Sequence, residues 1–161
     1  MKPTNANVRY LLSEYARILD ELRKTEVIRS KNNPLADYAE WLTGKALKLE
    51  LCTKSTKGHD ATKGGIRYEI KARRVTADNG SRQASAIRDL EEKHFDFLVG
   101  VLFHPGFSVM RAIEIPWEVV VEISSHNAHT NSAKLHLRDS LWDRSDVRDL
   151  TSRLTKAESG L

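Results

Sequence analysis

The sequence predicts an α/β fold built as one domain, and three observations carry that expectation. Apolar residues recur at three- and four-residue steps over 5–29 and 35–46, the spacing of one helix face. Polar and apolar residues alternate with period two over 48–53 and 66–73, as half-buried strands require. Residues 95–103 are nearly all apolar, the pattern of a strand covered on both faces.

In order, the first helix carries Val8, Leu11, Leu12, Tyr15, Ile18, Leu19 and Leu22 on one stripe. It is expected to pack on its own domain, with a partner or dimer helix as the other reading. Asn33 as N-cap and Pro34 at the first helical position open the second helix. Its apolar face is Leu35, Tyr38, Ala39, Leu42 and Ala46, with Glu40 and Trp41 beside it. A strand over 48–53 and a basic turn at 54–57 follow, then strands at 58–62 and 66–73 around Gly64-Gly65. Asp78-Asn79-Gly80-Ser81 reads as a turn and N-cap, and 82–93 as a helix with Gln83 in its first turn. Ala84, Ala86, Ile87 and Leu90 form its apolar stripe. Beyond the strand at 95–103, Pro105-Gly106 turns the chain into a strand at 108–115, and Pro116 starts a helix over 117–123. Residues 124–136 read as a loop, and a last helix is expected over 146–156.

A chain of 161 residues with 40% apolar and 30% charged content is one globular domain rather than a disordered segment. No apolar run approaches the roughly 20 residues that span a bilayer. The opening Met-Lys-Pro-Thr-Asn-Ala-Asn lacks the apolar core of a secretory signal. Cys52, the single cysteine, excludes an intramolecular disulfide and an all-cysteine zinc site. A cytoplasmic location is expected. The net charge of +4 is unevenly spread: 53–93 hold ten Lys/Arg against six Asp/Glu, while 94–161 hold seven against nine. That concentration suits a polyanionic partner. His126, His129 and His136 lie in the polar loop without a firm third ligand, so no zinc site is expected there.

The unusual chemistry lies in 58–74. Residues i and i+2 of a strand share a face, so Glu69 and Lys71 point together while Ile70 points away. A hairpin closed at Gly64-Gly65 returns Asp60 to the same end. Two carboxylates and an ammonium then converge, which hydrophobic burial does not ask for.

Asp60 followed by Glu69-Ile70-Lys71 resembles the motif of the PD-(D/E)XK nuclease superfamily, the fold of many restriction endonucleases: an aspartate opening one strand and Glu-x-Lys in the next. Gly58-His59 stands before the aspartate where many members have proline, a tolerant position. The likeness covers about 33–115 and implies an αβββαβ core, a central mixed sheet flanked by helices. The helix at 5–29 would precede it and a helical segment at about 140–157 would follow, all within the single domain 1–161. It implies Mg²⁺, with Mn²⁺ able to substitute, held by Asp60, Glu69 and the Ile70 carbonyl. The implied catalytic set is Asp60, Glu69 and Lys71 with Glu40 and Gln83 from the flanking helices. The implied activity is endonucleolytic hydrolysis of DNA, with restriction one of the roles open to it beside repair.

The residues themselves agree with this chemistry. Carboxylate and carbonyl oxygens are hard ligands suited to Mg²⁺. Phosphodiester hydrolysis needs the phosphate charge neutralised and a water activated, and Lys71 can orient or deprotonate that water or stabilise transition-state charge. Arg73, Arg74 and Arg82, with Lys57 and Lys63, are the expected phosphate contacts. A homodimer would offer one site to each strand of a duplex; neither an organic cofactor nor a membrane is expected. The alternatives are a non-catalytic nucleic-acid-binding module of the same fold, or a structural domain in which Glu69 and Lys71 are a surface ion pair.

Overall fold

The structure, a computed structural model, describes residues 5–31, 33–53 and 56–161. In chain order its elements are α1 (Asn5–Lys24), α2 (Leu35–Leu47), β1 (Glu50–Leu51), β2 (Ala61–Lys63), β3 (Ile66–Arg74), β4 (Ile87–Arg88), β5 (Phe97–Phe103), β6 (Val109–Pro116), α3 (Trp117–Ile123), β7 (Ser125–Asn127), β8 (Ser132–Lys134), β9 (Arg148–Asp149) and α4 (Thr151–Glu158). The fold is mixed α/β. A six-stranded sheet of order β1-β2-β3-β5-β6-β9 is flanked by helices, and β4-β8-β7 form a smaller second sheet. The pairing is mixed: β3 and β5 run parallel, and the other neighbours in the large sheet are antiparallel.

The period-two patterns explain the layers. Val99, Val101 and Phe103 of β5 pack with Ala39 and Leu42 of α2 and Leu154 of α4. Leu98 and Leu102, the alternate residues, pack on the other face with Ile87, Val120, Ala133 and Leu135. Tyr68, Ile70 and Ala72 of β3 join the first core, which turns Glu69 and Lys71 toward the opposite layer. Asp96 fixes the parallel register: its carboxylate accepts from Arg67 N–H, Nε and Nη2, and its own N–H donates to Arg67 O.

Several expectations are corrected. The first helix ends at Lys24 rather than 29, where Glu26 turns the chain at φ 62° and the β-branched Thr25, Val27 and Ile28 follow. Its apolar stripe, expected to pack on the domain, is exposed from Val8 to Ile18. Its end reaches the domain, where Leu22 lines a groove with Val27, Tyr38 and Trp41. At α2 the cap position belongs to Pro34, while Asn33 Oδ1 accepts the Leu35 N–H at 3.0 Å. The predicted turn at 54–57 lies partly outside the described residues.

The helix expected over 82–93 is absent. Its backbone groups pair with a distant segment instead: Ala84 N–H donates to Leu135 O, Leu137 N–H donates to Arg82 O, and Ile87 stands opposite Ala133. A short 3₁₀ turn at Leu90–Glu92 is all that remains helical. The partner segment is the expected loop at 124–136, which folds as the β7–β8 hairpin. The last helix begins at Thr151 rather than 146, because β9 occupies Arg148–Asp149 and Asp149 accepts the Thr151 N–H. Among the described residues no helix is long and apolar enough to cross a membrane.

Asp37 is buried in the first turn of α2, where one oxygen accepts the N–H groups of Arg29 (2.9 Å) and Ser30 (2.7 Å). Asp37→Ala strands both donors, so urea unfolding is expected to show a loss of about 1–3 kcal/mol.

Candidate functional site

The hairpin builds the site. Gly64 and Gly65, at φ 56° and 82°, supply the left-handed pair of a tight turn, and the register Ala61↔Tyr68 follows. One step further, Asp60 N–H donates to Tyr68 O, so Asp60 lies beside Glu69. Its Oδ2 accepts the Ile70 N–H at 2.7 Å. Lys71 Nζ lies 2.8 Å from Glu69 Oε1, and both side chains are mostly covered (16% and 14% exposed). β2 starts only at Ala61, so the edge of β3 beside Ile70 and Lys71 is open to α2, from which Glu40 reaches the same depression.

Asp60, Glu69 and Lys71 stand between two cavities and line both. One, about 420 Å³, also takes Asn33, Glu40, Ala72 and Ser85. The other, about 470 Å³, takes Lys57, His59, Arg88, Asp89 and His94. Burial, then the charge of Glu69, pushes the Asp60 carboxyl up to about 7; Glu40 adds to the rise, while the Ile70 N–H and Lys71 oppose it. Glu40 is itself buried and receives Arg29 Nη2 at 2.7 Å, and Arg29 Nη1 donates to Cys52 O.

The structure therefore brings together four of the five predicted catalytic residues, Glu40, Asp60, Glu69 and Lys71. Gln83 is not among them. Without a helix at 82–93 it forms a β-bridge with His136, in the second layer. Most of the predicted phosphate contacts are engaged within the protein. Arg82 pairs with Asp139 (2.6 Å), which also takes Arg111 (2.8 Å); the two arginines hold that carboxyl below the usual range. Arg73 Nε donates to Ser81 O, Arg74 lies 4.8 Å over the Phe107 ring, and Lys63 Nζ donates to Leu47 O. Lys57 lines the larger cavity.

Sequence reasoning missed Arg29, Asp89, Glu92 and His94. The last three place donor atoms within 4.8 Å of one another, and His94 Nε2 lies 2.8 Å from Glu92 Oε2 without hydrogen-bond geometry. Their sequence signal was the acidic run ending in histidine at 89–94, which a helix reading spreads around a surface. Gly58 fixes His94 in place: at φ 84° it lies so close that an added Cβ would meet His94 Cβ at 2.4 Å. No protein-family model matches the sequence, and neither does any curated protein.

Two outcomes follow from this geometry. Gly58→Ala is expected to cost about 1–3 kcal/mol in urea unfolding and to shift the His94 imidazole resonances. Asp60 keeps its proton up to about 7 when folded but only to about 4 when unfolded, so stability falls as pH rises between those values. Asp60→Asn, which still accepts the Ile70 N–H, should therefore melt higher than the parent protein at about pH 8 without divalent ions. The gain should vanish below about pH 4; a difference that ignores pH would contradict this assignment.

Proposed function

We propose that this chain is a divalent-metal-dependent deoxyribonuclease with a restriction-endonuclease-like core, its crossover between β3 and β5 made without a helix. The observation that carries the reading is the meeting of Asp60, Glu69 and Lys71 on neighbouring strands, with Glu40 beside them. Two carboxylates share one partly buried spot, and burial beside Glu69 lifts Asp60 to about 7. Such a spot is costly for a surface ion pair and suited to a cation.

The residues fit Mg²⁺: Asp60 and Glu69 offer carboxylate oxygens, and the Ile70 main chain sits against Asp60 through its N–H. The Ile70 carbonyl completes the proposed ligand set. When bound, the ion supplies neutralisation of phosphate charge and acidification of water. The remaining work falls to side chains. Lys71 Nζ, held by Glu69, faces the reacting phosphodiester as the proton-handling and charge-stabilising group. Glu40, oriented by Arg29, holds the water side of the smaller cavity. Lys57, His59 and Arg88 give the larger cavity donors for the phosphate backbone.

The test is cleavage of supercoiled and linear DNA with Mg²⁺, with Mn²⁺ and with EDTA. Cleavage should require the ion, and Lys71→Ala should lower it about 10²–10⁴-fold while leaving the melting temperature within a few degrees. Calorimetric titration with Mn²⁺ should show one site that Asp60→Asn abolishes. Cleavage equal in the parent and Lys71→Ala, or Mn²⁺ binding that ignores Asp60, refutes the reading.

A further inference from the structure

We propose that the exposed face of α1 is the contact between two copies of this chain, packed antiparallel about a two-fold axis at Tyr15. The stripe reads the same in both directions from that residue: Leu12 and Ile18 stand three positions away, Leu11 and Leu19 four, Val8 and Leu22 seven. At 3.6 residues per turn all of them fall within about 60° of Tyr15 around the helix. A two-fold contact needs such self-complementarity, residue i meeting j while j meets i. The axis sets Val8 against Leu22 of the partner subunit, Leu11 against Leu19 of the partner subunit, and Leu12 against Ile18 of the partner subunit.

The face needs an occupant. Val8, Leu11, Leu12, Tyr15 and Ile18 are 42% to 63% exposed, a continuous apolar strip rather than scattered surface residues. A helix of this length without packing is marginal in water. The pairs Glu14–Arg17, Asp20–Arg23 and Glu21–Lys24 lie in solvent and add little to that. The strip presents roughly 500 Å² per copy, so two copies join about 1,000 Å², close to the lower bound of about 1,200 Å² for a specific interface.

The apolar surface does not end with the strip. Leu22 belongs to both the stripe and the groove of about 430 Å³ lined by Val27, Tyr38, Trp41, Phe107 and Leu161, so the apolar surface continues onto the domain. The axis brings Glu14 near its own copy and Arg9 near Arg23 of the partner subunit. Glu14 is already paired with Arg17 and Arg23 with Asp20, which removes most of that repulsion. None of this uses the proposed nuclease site.

Sedimentation velocity of the full chain from about 1 to 100 µM tests the proposal without DNA or metal. The expected result is a species of twice the 18.3 kDa chain mass, with Leu12→Glu/Ile18→Glu weakening the association at least about 100-fold. Oxidative cross-linking in a Cys52→Ser background gives a second readout, even should the double variant misfold. Tyr15→Cys should form a disulfide dimer and Val8→Cys alone should not, whereas Val8→Cys/Leu22→Cys should. A monomer at the highest concentration, a dimer indifferent to the glutamates, or Val8→Cys linking to itself overturns the proposal.

Discussion

Backbone pairing between β2 and β3 is the constraint on which the site depends. The turn at Gly64 and Gly65 sets the register, the register sets Asp60 beside Glu69, and pleating turns Lys71 to the same side. A one-residue slip would send Glu69 and Lys71 into the apolar layer and Ile70 out of it. The neighbouring parallel strand guards against that slip, because Arg67 is tied to Asp96 by both backbone and side chain. One hairpin thus converts a local alternation of residue types into a concentrated patch of charge.

The surrounding charges are arranged unequally. At the outer surface, acids are answered at short range, as Asp139 is by Arg82 and Arg111. At the hairpin, Lys71 is the near cation, and Asp60, Glu69 and Glu40 lie close enough for Asp60 to feel both other acids. Arg29 offsets Glu40 from the far side, and it is aimed by the backbone bonds that Asp37 makes to residues 29 and 30. The excess of negative charge at one partly buried place sets this region apart from the ordinary ion pairs of the fold.

What the sequence shows plainly is what local geometry decides. The hairpin, the buried strand at 97–103 and the helix Trp117–Ile123 all follow from period and turn residues within a few positions. Glu40 is reached only through the family resemblance, since a helix glutamate by itself reads as solvated; its place beside the hairpin comes from the packing of α2 on the sheet. The failures at 82–93 and 124–136 share a cause. Residues 82–93 have a helical apolar stripe, yet Ile87 and Ala84 bury themselves by pairing with 132–137, some fifty residues away, which no local window detects. The same distant pairing removes Gln83 from the site. It also leaves the 3₁₀ turn that puts Asp89 and His94 on the cavity wall. Arg82 and Asp139 meet across a similar separation, so a basic residue near the hairpin in sequence was engaged elsewhere in space.

Ile70 lies between Glu69 and Lys71 and is a buried member of the larger sheet's core. The charged pair and the hydrophobic interior therefore share three consecutive peptide units in a strand that pairs with β5 along one edge, while at the other edge the Ile70 N–H is held by the Asp60 carboxylate. Amide exchange at Ile70 should therefore report on the Asp60 carboxylate that holds it, and local breathing that frays α1 leaves it untouched. The charged cluster is thus anchored to the sheet on the β5 side and by side-chain bonds on the other, so Asp60→Ala should speed exchange at Ile70 before it does so at the β5 amides.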